Sequence, residues 1–327
     1  MLLELAGERQ VLFVGGKGGV GKTAVASAVA LAQAQAGRRV LVVSTDPAHS
    51  LGHLWERSIG AGPVQLAPGL EGLEIDPVRT TDEHLGQVEH TLRRLMPEHL
   101  GGEVAKHLEL ARQAPGTHEA AVLEAMAHVL ADPEHDLLVF DTAPSGHTAR
   151  LMALPEVMST WTDGLLRRQD RSARFGAAVR SLDEGAADIV GAGTKDPRAR
   201  GDEEIRHILL RRRARFAGMR DLLTDADRTA FVIVLAAERL PVLETIELHD
   251  QLLRSGVHVA GLVANKRSPA GAGQFLAQRR DQEQHHLDQV RQVLGQVPMI
   301  ELPLLPEDIV GAAALARFAE QIARASA

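Results

Sequence analysis

The sequence contains no cysteine and no tyrosine among its 327 residues, and aromatic residues make up only 3% of it. A chain without thiols has no disulfides, thiolate zinc sites or cysteine nucleophiles. Long apolar runs are lacking too: residues 230–237 form one of the longest, well short of the roughly 18 residues that a membrane span needs. The first residues have no basic start typical of a signal peptide. We therefore expect a cytoplasmic protein.

The charge balance is acidic, with a net charge of −7 and a pI near 6.1. A surface that binds nucleic acid broadly needs a clustered excess of Lys and Arg to neutralise phosphates. We therefore expect no nucleic-acid partner. The apolar residues, 45% of the chain, suffice for one large core or two smaller ones.

Short apolar runs alternate with helical patterns along most of the chain. The runs predict strands at residues 11–14, 39–43, 73–75, 137–140, 230–235, 257–263 and 297–300. Strands that are apolar throughout are typical of a parallel sheet covered on both faces. The sequence predicts an α/β fold with a mostly parallel sheet and helices on both faces.

Two segments without a convincing strand interrupt this alternation, at residues 80–130 and 161–227. Their apolar residues recur at helical spacing, so we expect them to form one helical subdomain. The remaining residues, 1–79, 131–160 and 228–327, would form the sheet domain. Within the second insertion, the polar, Gly-rich and Pro-containing segment 191–202 is interpreted as a mobile loop.

The pattern Gly16-x4-Gly21-Lys22-Thr23 follows the first predicted strand and precedes a helix. In a phosphate-binding loop of this kind, backbone N–H groups point at the phosphates, the lysine reaches the outer two, and the threonine ligates Mg²⁺. The alternative is a glycine turn with a purely structural role. The strand before the pattern and the helix after it favour phosphate binding.

Two acidic residues follow predicted strands and are candidates for the rest of such a site. Asp141 ends the apolar run 137–140, and Asp46 comes shortly after the run 39–43. Open α/β sheets bind ligands at the carboxyl ends of their strands, and phosphoryl transfer needs a metal-holding acid and a group that positions the attacking water. Each Asp could instead be a helix cap or a turn residue.

Three segments together resemble a known family: residues 15–23 (GGKGGVGKT), 44–51 (STDPAHSL) and 141–150 (DTAPSGHTAR). They are similar to the family of ArsA, the arsenical-pump-driving ATPase, and of the guided-entry ATPase that targets tail-anchored membrane proteins. The similarity continues at residues 229–243, 264–266 and 302–307. It covers nearly the whole chain and is weakest in the helical insertions.

The resemblance implies a P-loop ATPase that uses ATP or ADP with Mg²⁺ and works as a homodimer. The family resembles MinD-type ATPases, in which the first lysine of the loop, here Lys17, reaches the nucleotide of the partner subunit. Three residues would be catalytic: Asp46, which orients and deprotonates the attacking water, Lys17 and Lys22. Thr23, Asp46 and Asp141 would hold Mg²⁺, the carboxylates through water.

The resemblance also implies which residues contact the nucleotide. These are Gly16, Lys17, Gly18, Gly19, Val20, Gly21, Lys22 and Thr23 in the loop, and Asn265, Lys266 and Pro303 near the adenine. Pro144, Gly146 and His147 would belong to a switch loop that senses the γ-phosphate.

The chain departs from the family where the family uses cysteine. The zinc clasp of the targeting members would fall on Gly273 and Leu276, so no zinc is expected. The thiolates that accompany a histidine in the As(III) site of ArsA are missing, although His147 matches the histidine. Soft As(III) prefers sulfur ligands, so this absence weakens the metalloid interpretation.

The choice of partner stays open at this point. A membrane pump, a membrane receptor and a hydrophobic client helix are all compatible with the family, as is a position on the membrane surface. The alternative is a MinD-like surface-positioning ATPase without metalloid or client-helix binding, which would use its tail and polar insertions on a surface. The apolar stripe of the final helix, residues 309–322, could serve as that tail, but we expect it to pack against the sheet. Apolar residues of the insertions could line a client groove, but the density of charge around them favours a core; they are Val122, Leu123, Met126, Phe175, Val179, Ile189 and Val190.

Overall fold

The computed structural model describes residues 1–95, 101–114, 116–131, 134–143 and 197–326, together with seven positions between 152 and 167. Eight strands form one sheet: β1 (Val11–Gly15), β2 (Val40–Ser44), β3 (Val64–Ala67), β4 (Leu70–Glu74), β5 (Leu137–Asp141), β6 (Thr229–Ala236), β7 (Val259–Arg267) and β8 (Met299–Pro303). The longer helices of the described residues are α1 (Leu2–Glu8), α2 (Lys22–Gln35), α3 (Ser50–Trp55), α4 (Pro77–Leu95), α5 (Gly101–Arg112), α6 (Thr117–Leu130), α7 (Pro197–Thr224), α8 (Arg239–Arg254), α9 (Gln274–Leu294) and α10 (Gly311–Ser326).

The strand order is β3-β4-β2-β5-β1-β6-β7-β8, and every neighbouring pair is parallel except β3 with β4. The predicted α/β class is confirmed. Because seven strands point the same way, the carboxyl ends of β1, β2, β4, β5, β6, β7 and β8 meet at one side of the sheet, which we call the carboxyl edge. Candidate site residues that follow these strands therefore lie close together.

The sequence prediction missed two elements, β3 and α1. The four residues of β3 lie between Pro63 and Pro68 and pair only with β4 at the edge of the sheet. An edge strand has one partly solvated face, so it lacks the continuous apolar run of the central strands. Gly69, with φ of 76°, makes the tight turn that returns the chain antiparallel.

Both faces of the sheet are covered, which explains why the central strands are apolar throughout. On one face Phe13 stacks on Phe140 and Phe231, with ring centroids 4.8 and 6.1 Å apart. On the other, Leu12 and Val14 join a core shared with the alanine-rich α2 and with α10. The small alanine side chains let α2 approach the sheet closely, which sets the position of the glycine loop (residues 15–23) at its start.

The described part of the helical insertions shares a core with the first of these faces. Val122, Leu123 and Met126 are buried beside Phe216 and Met219, as the core interpretation predicts. The other residues named for a groove, Phe175, Val179, Ile189 and Val190, lie outside the described residues. The division into a sheet domain and a helical subdomain stays a prediction.

The mobile-loop prediction for residues 191–202 is wrong for its second half, because α7 begins at Pro197. Proline favours the first position of a helix, since its missing N–H has no partner there in any case. Residues 191–196 lie outside the described part of the chain.

The C-terminal helix α10 uses its apolar stripe inside the protein. Leu315, Phe318 and Ile322 are buried in the core that covers α2. This packing leaves the stripe unavailable as a surface tail. In the part of the chain that the structure describes, no helix is both long enough and apolar enough to cross a membrane.

Candidate functional site: a phosphate loop at the carboxyl edge

The glycine loop leaves the central strand β1 and runs directly into α2. Gly16 has a φ of 138°, and a Cβ atom there would lie 2.1 Å from the carbonyl oxygen of Val234. Gly21 has a φ of 94°, and a Cβ there would lie 2.4 Å from Nδ2 of Asn265. Both positions therefore require glycine. The loop places the first turn of α2, where backbone N–H groups attract anions, at the carboxyl edge.

The first two residues of α2 point back over this loop and toward β5. The Lys22 ammonium donates to the carbonyl oxygen of Lys17 at 3.1 Å. Burial lowers the pKa of Lys22, while the charges of Asp141 and Asp46 act in the opposite direction. The Thr23 hydroxyl donates to Oδ2 of Asp141 at 2.7 Å. The lysine, the threonine and the two acids predicted from sequence thus gather at one place.

Asp141 is fully buried, with a relative exposure of 0%. Burial raises the pKa of its carboxyl to about 6, although the hydrogen bond from Thr23 and the charge of Lys22 oppose the shift. Oδ2 also accepts the Ser44 hydroxyl at 3.4 Å, whereas Oδ1 has no hydrogen-bond partner among the described residues. A buried carboxylate oxygen without a partner is a site prepared for a cation.

Asp46 follows β2 and begins a turn at the same edge. Its Oδ1 accepts the backbone N–H of Ala48 at 3.1 Å, and its own N–H donates to Ser44 Oγ at 3.3 Å. The hydroxyl of Ser50, at the start of α3, lies 3.2 Å from Oγ1 of Thr23. No role was predicted for Ser44 and Ser50, although Ser44 directly follows the predicted strand 39–43 and could have been found from that position.

The side chain of Lys17, unlike that of Lys22, is paired with a residue outside the loop. Its ammonium makes an ion pair of 2.7 Å with Oε1 of Glu244 on α8, and both side chains are about one third exposed. The two residues are 227 positions apart in sequence, so no local pattern could have predicted the contact.

The end of β7 braces the loop from the other side. Asn265 donates from Nδ2 to the carbonyl oxygen of Val20 at 2.9 Å, and the Lys266 ammonium donates to that of Gly19 at 2.8 Å. Lys266 has a φ of 59°, a backbone strain that surrounding contacts must maintain. Pro303 ends the neighbouring strand β8.

Arg267, the residue after Lys266, supplies such contacts. Its buried guanidinium pairs with Glu283 of α9 and with Glu301 of β8, each at 2.8 Å. Its carbonyl oxygen accepts the N–H of Leu304 at 2.8 Å. This network fixes the ends of both strands, and sequence reasoning did not predict it. The predicted switch residues Pro144, Gly146 and His147 lie outside the described residues.

The glycine loop joins the central strand β1 to a helix that opens with Lys22 and Thr23, and the buried Asp141 lies on β5, the neighbour of β1 in the sheet. This arrangement defines the class of P-loop nucleoside triphosphatases. The family model of the anion-transporting ATPases, the ArsA ATPase family, matches residues 9–324. The chain therefore belongs to that family and is an ATPase.

Curated relatives cover nearly the whole chain at similar levels of identity. The chain is 31% identical to a putative arsenical pump-driving ATPase 2 of Aquifex aeolicus, over 95% of this chain and 98% of that protein. It is 30% identical to ATPase GET3 of Podospora anserina, over 96% and 90% of the two chains. It is 30% identical to ATPase GET3A of Arabidopsis thaliana, over 95% and 82%.

The residues present fit a nucleotide bound with Mg²⁺. The loop has no side chain at Gly18, Gly19 and Gly21, and a Cβ at Gly19 would meet no atom within 4 Å, so its backbone is open to a ligand. The possible metal ligands near Asp141 are hydroxyl and carboxylate oxygens, which a hard cation such as Mg²⁺ prefers. The unpartnered Oδ1 of Asp141 is an acceptor that such a shell would use.

Proposed function

We propose that this ATPase hydrolyses ATP with Mg²⁺ as a homodimer, in which Lys17 of each chain acts on the nucleotide of the other, and that it drives transport or targeting at a membrane. The observation that carries the proposal is the position of Lys17. Its ammonium pairs with Glu244, 2.7 Å away on α8, while Lys22 covers the loop of its own chain. Because the Lys17 ammonium is paired outside its own loop, it is available to a partner chain, which supports the proposal.

The proposed roles rest on the resemblance to the family, and the positions of the side chains support them. The backbone N–H groups of the glycine loop and Lys22 would hold the phosphates. Thr23, Asp141 and Asp46 would hold Mg²⁺, the carboxylates through water, and the ion would offset negative charge on the phosphate oxygens. Asn265, Lys266 and Pro303 are proposed to lie at the adenine.

Asp46 is the proposed base. The N–H of Ala48 fixes one of its oxygens, which orients the carboxylate and leaves the other oxygen to accept a proton from the attacking water. Lys17 from the partner would then stabilise the charge that spreads over the transferred phosphoryl group in an interface that excludes water.

The surface around Glu244 supports a second copy of this chain as the partner of Lys17. Leu240 and Leu243, on the same helix, are 61% and 54% exposed. Exposed leucines beside an ion pair that must open are suited to burial in a subunit contact.

The proposed partner is a membrane-associated protein, and a thiolate metalloid site is not part of the proposal. The chain has no cysteine, so a thiolate site for As(III) cannot form. A client groove lined by Val122, Leu123 and Met126 would require their core to open, because all three are buried. A membrane pump, a membrane receptor and a client helix bound elsewhere fit the proposal equally.

We expect the ATPase activity per chain to rise with protein concentration, because the active site is complete only in the dimer. The measurement is the steady-state rate at saturating Mg-ATP, from well below to well above the dimer dissociation constant found by sedimentation. A rate per chain that stays constant across this range would rule out the dimeric site.

A further inference from the structure

Glu74, the last residue of β4, is a buried carboxylate to which the sequence analysis gave no role. It is 4% exposed and lies in register with Ser44 of β2 at the carboxyl edge. Oε2 lies 2.8 Å from Nδ1 of His49, and Oε1 accepts the backbone N–H of Gly52 at 2.8 Å. Both oxygens are therefore committed to the start of α3. Loss of either hydrogen bond would leave a buried carboxylate oxygen without a partner, which is energetically costly, so Glu74 holds His49 and Gly52 firmly.

One partner of Glu74, His49, ends the turn that begins at Asp46, and the other, Gly52, lies in the first turn of α3. In this Asp46 turn (residues 46–49), the Ala48 N–H donates to Oδ1 of Asp46, and the His49 N–H donates to its carbonyl oxygen at 3.3 Å. His49 has φ of 51° and ψ of 35°, a left-handed conformation that is unfavourable for a residue other than glycine. Such a conformation persists only where contacts over-determine it, and the contact between His49 and Glu74 is one of them.

Packing alone does not hold this turn. The His49 side chain is 52% exposed, and together with Glu74 it lines an open cavity of about 660 Å³. The far end of α3 has its own anchor, because the indole N–H of Trp55 donates to Ser27 of α2 at 3.1 Å. Loss of Glu74 should therefore release the Asp46 turn while α3 stays docked.

We propose that Glu74 is a positioning residue for ATP hydrolysis: through His49 and the N–H of Gly52 it holds the Asp46 turn at the carboxyl edge. The inference rests on the proposed role of Asp46 as the base. Displacement of a reacting group by about 1 Å can cost up to about 100-fold in rate, so a carboxylate that never meets substrate can still set the turnover number.

The test compares kcat and ADP affinity in variants of Glu74. We expect Glu74→Ala to lower kcat about 10- to 100-fold with ADP affinity unchanged, because the glycine loop is not disturbed. Glu74→Gln should recover most of the rate, because its amide oxygen can accept the Gly52 N–H while its amide N–H₂ donates to Nδ1 of neutral His49. His49→Ala should resemble Glu74→Ala. The matched control is Glu71→Ala. Glu71 also lies on β4, but near the amino end of the strand, where it pairs with His135 at 2.9 Å. Its replacement should leave kcat unchanged.

A double-mutant cycle separates this inference from the role of Asp46 itself. If Glu74 acts through Asp46, the Glu74→Ala/Asp46→Asn variant should be no slower than Asp46→Asn alone. Rate losses that multiply would overturn the positioning role while leaving Asp46 as the base. A Glu74→Ala protein that melts earlier but keeps its kcat would show a purely structural role, and normal turnover of Asp46→Asn would remove the base and this inference with it.

Discussion

Replacing Asp46 by asparagine is expected to slow ATP hydrolysis at least ~100-fold, because the variant loses the carboxylate that takes the proton from the attacking water. The amide keeps an oxygen for the Ala48 N–H, so the turn should keep its shape. ATP should still bind, and the variant should accumulate as the closed dimer. The measurement combines single-turnover hydrolysis with sedimentation in ATP.

The matched control is Asp136→Asn, at the opposite end of the strand that carries Asp141. Asp136 pairs with Arg39 at 3.0 Å on the surface and should be replaceable without a change in turnover. Near-normal hydrolysis by Asp46→Asn would remove Asp46 from the mechanism.

The second large effect is on stability: replacing the buried Asp141 is expected to stabilise the nucleotide-free protein at neutral and higher pH. Because burial raises the pKa of Asp141 from 3.8 to about 6, the folded protein holds its proton more tightly than the unfolded chain. The contribution of Asp141 to the stability of the nucleotide-free protein should therefore fall as pH rises through this window, by roughly 3 kcal/mol in total. Above it, the folded protein carries the full cost of a buried charge.

Asp141→Asn removes that charge, so the nucleotide-free variant should be more stable than the wild type at pH 8 and should lose the advantage near pH 4. It should also lose Mg²⁺-dependent turnover, an exchange of function for stability. Urea unfolding at several pH values measures the difference. Asp136→Asn is again the control: Arg39 lowers the pKa of Asp136, so that variant should be less stable than the wild type throughout this window and above it. A difference between Asp141→Asn and wild type that does not change with pH would contradict the assigned pKa.

The sequence predicted those parts of the protein that depend on local pattern. The conformation of residues 16–23 could be predicted from their sequence, because the backbone requires glycine at positions 16 and 21 and a helix begins at Lys22. Asp46 and Asp141 could be placed together because each follows an apolar strand, and parallel strands bring such ends to one edge.

The contacts that the sequence did not reveal join positions far apart in the chain. Glu244 meets Lys17, Glu74 meets His49, and Arg267 meets Glu283, each through a charged side chain in a segment without a motif. A glutamate on a helix face has the same local pattern whether it faces solvent or an active-site lysine. The edge strand β3 was missed for a related reason, because its partner β4 rather than its own pattern defines it.

The most direct test of the account mixes two inactive variants, Lys17→Ala and Asp46→Asn. In a mixed dimer, the Lys17→Ala chain keeps Asp46 and receives Lys17 from its partner, so one of the two sites is complete. The chains should be mixed without nucleotide, allowed to exchange, and then given Mg-ATP.

If Lys17 acts across the dimer, the mixture should recover about a quarter of wild-type activity, because random pairing makes half of the dimers mixed and each has one working site. The control mixes Lys17→Ala with Lys17→Ala/Asp46→Asn and should stay inactive. A mixture of the two single variants that exchanges chains yet stays as inactive as its components would contradict a lysine that acts on the partner's nucleotide.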